Sequence, residues 1–307
     1  MIETPVLFLV FNRPSTTRLV FNKLREIKPS ILFVATDAPR PDVPADILLC
    51  AEVRSIIADI DWPCETHVLL RTEHQGCKLA VSGAIDWFFE HVEAGIILED
   101  DCLPSSSFFY FCQELLDLYK NNPDILHISG NNYQDGIQRG TGSYYFSKYV
   151  HIHGWATWKR AWRRLDINLS GWPTFKDSPA YHNLFGHMEE KKYWNNKFNT
   201  YEADTSIPNF WSLQWMYSCW KANGLAITPQ KNLVKNIGFG SGTNTWIYLP
   251  HLVREADELC SPYLVPPVIT IDRLADAYTF KHIYQYKGSI WSRVLYHLFR
   301  LKGKIQS

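Results

Sequence analysis

The first hundred residues alternate between short apolar runs and segments of helical spacing, and this alternation restricts the fold more than any other feature of the chain. Pro5 to Phe11 is one apolar run, and Thr16 to Ile27 then carries Leu19, Val20, Leu24 and Ile27 on one helical face. A strand over Ile31 to Ala35, a helix over Ala45 to Ile60, a strand over His67 to Leu70 and a helix over Ala80 to Val92 continue the pattern. Strands apolar on both faces and joined by helices predict a parallel sheet with crossover helices. The expected class is therefore α/β.

The next strand ends abruptly. Gly95-Ile96-Ile97-Leu98 runs straight into Glu99-Asp100-Asp101 and then Cys102-Leu103-Pro104. A buried strand here delivers three carboxylates to its C-terminal tip, the edge at which open α/β sheets bind ligands. Packed acids repel one another unless a cation or hydrogen-bond donors sit among them. A hard divalent ion, Mg²⁺ or Mn²⁺, shared with substrate phosphates answers that requirement, whereas a solvated acidic turn needs nothing. The buried strand directly before the acids favours the functional alternative.

Composition narrows the classes. The chain has 307 residues, 31 basic against 31 acidic, so no global charge argues for nucleic acid. Aromatic residues make up 15%, with twelve Trp, a supply for core or for stacking on sugars and bases. Seven scattered cysteines, with no C-x-x-C pair, argue against a disulfide framework and for a reducing, cytoplasmic setting. The N-terminal apolar run is shorter than a signal or a spanning segment.

Further along, a helix is expected over Ser107 to Lys120, capped by Ser105, Ser106 or Ser107, and a strand over Asp124 to Ser129. Residues 130–150 read as loop, and 163–210 has no clean period. Trp155, Trp158 and Trp162 have the spacing of a helix face, which is usually core, although Trp155 is nearest the loop and is expected to contact an acceptor. Phe210 to Ala222 reads as a helix and Gly224 to Pro229 as a strand. His151 and His153 would share a strand face as metal ligands can, but no third ligand has a matching spacing. Asn131, after the Asp124–Ser129 strand, can bond donor or acceptor hydroxyls, and Gly238, Gly240 and Gly242 mark a loop able to close over a diphosphate. In the tail, Trp291, Val294, Leu295, Leu298 and Leu301 form one stripe flanked by Arg293, Arg300, Lys302 and Lys304. Such a helix lies in an anionic membrane interface or docks on the core.

Three strand tips in the first half carry polar groups: Asn12-Arg13, Asp37 and the acidic trio. A parallel sheet brings them to one edge. An Arg, an isolated Asp, a carboxylate cluster and a metal suit a nucleoside diphosphate. Neither G-x-G-x-x-G after the first strand nor G-x-x-x-x-G-K-[ST] occurs, which disfavours a dinucleotide turn or a P-loop.

Several segments in order resemble a known family. They are VFNRPSTTRLVFNKL from Val10, ATDAP from Ala35, His74-Gln75-Gly76-Cys77-Lys78, ILEDDCLPSSSFFYF from Ile97, HISGNN from His127, GWATWKRAW from Gly154, NFWSLQWM from Asn209 and ITPQKNLVKNIGFG from Ile227. Over residues 4–245 the chain is similar to GT-A fold glycosyltransferases of the N-acetylglucosaminyltransferase I type and their bacterial relatives. The resemblance implies a Rossmann-like nucleotide-diphospho-sugar transferase fold, with a nucleotide-sugar-binding half (1–125), an acceptor half (126–250) and a C-terminal extension (251–307). It implies transfer from a UDP-sugar or other nucleotide-sugar to a glycan, lipid-linked or polysaccharide acceptor, aided by Mn²⁺ or Mg²⁺. It assigns Asp101 to the metal, Asp100 to the ribose and Glu99 to the donor sugar. Arg13 and Asp37 match the uracil end, and His74 a nucleotide-contacting His. Asn12 and Lys78 belong to the same nucleotide-binding set.

The family's base, an Asp following Phe-Trp, is absent. Here the segment is Trp211-Ser212-Leu213-Gln214-Trp215, and neither Ser212 nor Gln214 is a base near neutral pH. Asp204 is the expected substitute, with Glu202 behind it. The alternatives are a mechanism without inversion, or a nucleotide- or sugar-binding homologue without transfer. Relatives often carry a His near the end of the glycine loop, where this chain has Asn244.

Overall fold

The run after Pro5 forms strand β1 (Val6–Val10), buried along its whole length. The computed structural model, which describes residues 2–203, 211–238 and 253–285, builds one large sheet around it. The chain continues through α1 (Pro14–Ile27), β2 (Ile31–Thr36), α2 (Ala45–Ala58), β3 (Glu65–Leu70), α3 (Gly76–His91), β4 (Ala94–Glu99) and β5 (Cys102–Pro104). Then follow α4 (Ser106–Leu118), β6 (Ile125–Ser129), β7 (Tyr144–Ser147), β8 (Trp155–Trp158), α5 (Lys159–Trp162), α6 (Trp172–Phe175), α7 (Pro179–Asn183) and α8 (Met188–Ala203). Last come α9 (Ser212–Lys221), β9 (Leu225–Pro229), β10 (Val234–Asn236) and α10 (Arg273–Thr279), which runs on into a π-helical turn, Phe280–Tyr284.

The eight-stranded sheet has the order β3-β2-β1-β4-β8-β6-β9-β7. Strands β1 to β4 are parallel neighbours, and β6 pairs parallel with β9. Only β7 and β8 run antiparallel to their neighbours. The class is thus α/β with a mostly parallel sheet, and strands from both expected halves belong to it. Alternation along β1 shows how the layers form. Val6, Phe8 and Val10 enter one core with Val20, Phe21 and Leu24 of α1, while Leu7 and Leu9 enter the other with Ile85 and Phe88 of α3. Helices α1, α2 and α4 cover the first face, and α3, α8 and α9 the second.

Several expectations need correction. The Trp155 to Trp158 spacing belongs to a strand, not a helix. β8 lies between β4 and β6 with all four residues buried, and a strand covered on both faces has no polar side to reveal its period. Strand β7 falls within the segment read as loop, and α3 begins at Gly76 rather than Ala80. The segment without a clean period contains α8, whose Glu190, Trp194 and Phe198 form a single buried stripe on an otherwise polar helix. At α4, Ser105 holds the N-cap position, but its side chain bonds Ser107 Oγ at 3.1 Å rather than a backbone N–H. Glu258 caps the helix instead, accepting from the Ser106 N–H at 3.1 Å and the Ser107 N–H at 2.8 Å. Asp204, the glycine loop beyond Gly238 and the 288–304 tail lie outside the described residues.

Candidate functional site

The strand order 3-2-1-4 makes β1 the point at which the chain switches direction across the sheet, and the crevice outside such a point is where α/β folds bind ligands. A cavity of about 190 Å³ lies there. Its walls include Phe11, Arg13, Thr36, Asp37, Arg40, Arg71, His74, Cys77, Glu99 and Asp100. The tips predicted from sequence to converge do so.

Arg13 occupies the N-cap position of α1 without capping it, and Pro14 begins the helix. In register, Leu9 of β1 faces Glu99 of β4, so the residues just after β1 lie beside the acids. The guanidinium turns onto them: Nη2 meets Asp100 Oδ1 at 2.6 Å and Nη1 meets Asp101 Oδ2 at 2.8 Å. Asp100 also accepts from the Phe11 N–H at 3.4 Å. Arg13 is therefore the cation among the acids.

The trio is electrostatically graded. Burial, with Asp101 as a neighbour, pushes Glu99 up to about 8, and no hydrogen bond or ion pair engages its carboxyl among the described residues. Burial also lifts Asp100, with Arg13 pulling the other way. Asp101 stays below the ordinary carboxylate range: burial opposes ionisation there, but Arg13, His153 and the bonds from Arg13 and Cys102 outweigh it. At neutral pH Asp101 is the firmly ionised member, and among the described residues the donor to its Oδ1 is the weak Cys102 thiol, at 3.4 Å. One ionised carboxylate with an oxygen to spare fits a divalent ion that also takes phosphate oxygens. Among the described residues no group of three His, Cys, Asp or Glu forms a closed metal cage, and His151 with His153 makes none.

Asp37 builds the site from within. Its Oδ1 accepts from the N–H groups of Ala38 (2.9 Å) and Gln75 (3.0 Å), and its Oδ2 from Gly76 N–H (3.0 Å), while His74 Nδ1 lies 3.0 Å from Oδ2 and hydrogen-bonds the Ala38 carbonyl at 2.9 Å. The Gln75 and Gly76 N–H groups are orphan amides at the start of α3, so Asp37 caps that helix from a distant strand. Gly76 lies in the left-handed region at φ 75°, which a side chain would strain. With its lone pairs filled, Asp37 holds the wall; the expectation that it accepts from a base N–H needs correction on that ground. His74 is held by the same bonds and lies against Phe11, ring centroids 5.5 Å apart.

Asn12 is likewise spent inside the protein. Its Nδ2 donates to Asp46 Oδ1 at 2.7 Å, and neither Asn12 nor Lys78 is a cavity wall. Asp46 is buried, and the Arg40 fork holds its carboxyl below the usual range, with Nε to Oδ2 at 2.6 Å and Nη2 to Oδ1 at 2.9 Å. The sequence reading missed Arg40, Arg71, Phe11 and Thr36. Arg71 follows the tip of β3 by one residue, so the rule that found Asp37 would have found it. Among the described residues Arg71 has no acidic partner, its Nη2 reaching only the Ala80 carbonyl at 3.4 Å. The buried Thr36 hydroxyl has no hydrogen-bond partner among the described residues.

On the acceptor side, two expectations fail. Trp155 is fully buried, stacked on His127 (5.0 Å) and Trp211 (5.5 Å), so it is core and touches no acceptor. Asn131 is 2% exposed and its Nδ2 donates to the Val234 carbonyl at 3.0 Å, a bracket between β6 and β10. His153 does stand near the acids, within electrostatic reach of Asp101, and Tyr133 OH approaches its Nδ1 at 3.4 Å. Ser212 opens α9, and Gln214 is buried there.

No protein family's sequence profile matches the chain, and no curated protein matches it. Solved structures match weakly. HddC from Yersinia pseudotuberculosis matches at 10% identity over 52% of this chain and 78% of its own, with a TM-score of 0.32. An apo UDP-glucose pyrophosphorylase matches at 10% identity over 78% and 94%, with a TM-score of 0.36. Mouse xyloside xylosyltransferase 1 matches at 10% identity over 71% and 80%, with a TM-score of 0.34. At such identities and scores the geometry of the site has to stand without them, and it does.

Proposed function

We propose that the protein is a glycosyltransferase that moves a sugar from a nucleoside-diphosphate sugar, foremost a UDP-sugar, to a glycan, lipid-linked or polysaccharide hydroxyl. The observation that carries this reading is one cavity, at the β1 switch point, walled by aromatic, cationic and carboxylate groups. Phe11 and His74 offer ring faces, while Arg71 and the Thr36 hydroxyl offer unused donors for a base or ribose. On this reading Glu99, in the cavity wall, would face the donor sugar, and Asp101 beside it the diphosphate. A divalent ion, Mn²⁺ or Mg²⁺, would be held by Asp101 and would supply positive charge to the departing diphosphate. On this reading the basic stripe of residues 288–304 rests on anionic lipid at the cytoplasmic face of a membrane. The acceptor-side base is assigned to Asp204.

A second reading, nucleotide-sugar binding without transfer, is favoured by Ser212 and the buried Gln214 where the family resemblance calls for an Asp. A panel of UDP-sugars with mixed glycan acceptors separates the two. UDP release above buffer levels supports transfer, whereas nucleotide binding with no release in any combination selects the second. For the metal, calorimetry of UDP with Mn²⁺ on Asp101→Asn should show a loss of about 10–100-fold in metal-dependent affinity. Unchanged affinity would remove Asp101 from that role.

A further inference from the structure

We infer that Arg13 is a resident counter-ion that keeps a divalent cation off Asp100 and Asp101 until a diphosphate arrives, so that metal and nucleotide bind as a coupled pair. The inference rests on the nucleotide-sugar reading and adds to it the order in which the site fills. One planar fork bridges both acids, at 2.6 Å and 2.8 Å, and their side chains are only 2% and 13% exposed. The pair is closed from above by the chain returning from β10. Ile237 N–H donates to the Asp101 carbonyl at 2.8 Å, and a Cβ on Gly238 would overlap Asp101 Oδ2 and lie 2.8 Å from Arg13 Nη1.

In so confined a space a guanidinium and a divalent ion repel strongly, because a few ångströms of poorly solvated separation leave Coulomb forces little screened. A guanidinium cannot resolve the conflict by losing its proton, so its charge leaves only by moving. A diphosphate offers it a second partner whose oxygens match the same fork. Once Arg13 turns to that partner, its charge no longer opposes a metal at Asp101. By linkage, nucleotide then raises metal affinity by the factor by which metal raises nucleotide affinity.

The test reads metal binding rather than turnover. Free Mn²⁺ is followed by electron paramagnetic resonance with nucleotide-free protein. The wild type should bind weakly and Arg13→Met about tenfold more tightly or better, since a competing charge is gone. Adding UDP should tighten Mn²⁺ binding in both proteins, since the ion also takes phosphate oxygens, but by a clearly larger factor in the wild type than in Arg13→Met. Arg13→Lys keeps a charge but cannot bridge both acids, so it should be intermediate; it decides the matter if near-ultraviolet circular dichroism shows Arg13→Met to be unfolded. A folded Arg13→Met, or in its place Arg13→Lys, that binds Mn²⁺ no more tightly than wild type overturns the inference. Wild-type protein that binds no UDP with or without Mn²⁺ counts instead against the nucleotide-sugar reading, and the Mn²⁺ titrations still judge Arg13 alone.

Discussion

Two buried ion clusters, one in each half of the sheet, use the same ingredients to opposite ends. At the β1 tip Arg13 meets Asp100 and Asp101, and in the second half Lys148 meets Glu190 at 2.8 Å with Asp276 close by. The second cluster is closed on every side. Lys148 Nζ also donates to the Leu184 carbonyl at 3.1 Å, Asp276 accepts from Ser147 Oγ at 2.5 Å and from Lys148 N–H at 3.2 Å, and Tyr149 donates to Glu190. Every charge there is spent on tying α8 and α10 to the end of β7. The first cluster opens onto a cavity and leaves Glu99, Asp101 Oδ1, Arg71 and the Thr36 hydroxyl with capacity unused. Buried charge alone therefore does not mark a site; buried charge with spare capacity beside a cavity does.

The largest effect that can break this comparison is Lys148→Met. It leaves Glu190 and Asp276 without their cation and should cost about 3–5 kcal/mol of folding stability, read by urea unfolding. Nucleotide affinity of the folded fraction should not change. A stable variant, or one that folds and binds UDP differently, would dissolve the distinction between strut and site.

The two clusters were unequally legible in the sequence, for physical reasons. Strand tips announce themselves, because an apolar run must end and its first polar residues lie at the ligand edge; hence Arg13, Asp37 and the trio were found. Direction was not legible. Nothing local says that Arg13 turns to the acids, since that depends on the register of β1 against β4. The role of Asp37 depends on amides of Gln75 and Gly76, brought to it only by the packing of α3 against β2. In the second half the signals themselves fail. β8 is buried on both faces, α8 shows a single stripe that includes a Glu, and Lys148 and Asp276 come from segments far apart in the chain.

A smaller effect sharpens the contrast through pH. His127 is a buried residue of β6, where its Nδ1 accepts from Trp215 Nε1–H at 3.1 Å and its Nε2–H donates to the His151 carbonyl at 3.0 Å. The bond from Trp215 requires the neutral ring, and burial pushes the pKa down to about 3 against the opposing pull of the His151 carbonyl. The unfolded chain takes up this proton near pH 6.5 and the fold does not. Stability from this group is therefore present above about 6.5 and is lost as pH falls towards 3, by about 1.4 kcal/mol per unit. Asp276, pushed up to about 6 by burial, works in the opposite sense between about 4 and 6, so the total slope mixes the two. Comparing wild type with His127→Gln isolates the histidine. Between pH 6.5 and 5 the wild type should lose about 2 kcal/mol more than the variant, by urea unfolding at each pH. Equal slopes would mean that the ring charges within the fold.

The smallest expected effect tests whether spare capacity is what makes the first cluster a site. Arg71 is the clearest instance, a cavity-wall guanidinium whose side chain bonds only the Ala80 carbonyl, at 3.4 Å. It caps nothing and pairs with no acid among the described residues, so Arg71→Met keeps most of its packing along α3 and should shift stability by less than about 1 kcal/mol. If its donors serve a nucleotide, UDP should bind about tenfold more weakly, which is the worth of one hydrogen bond from a charged group. Calorimetry and a melting curve on the same sample give both numbers. A variant that loses stability but no affinity would make Arg71 a strut like Lys148. The converse result would mean that Arg71, which pairs with no acid among the described residues, is kept for a ligand.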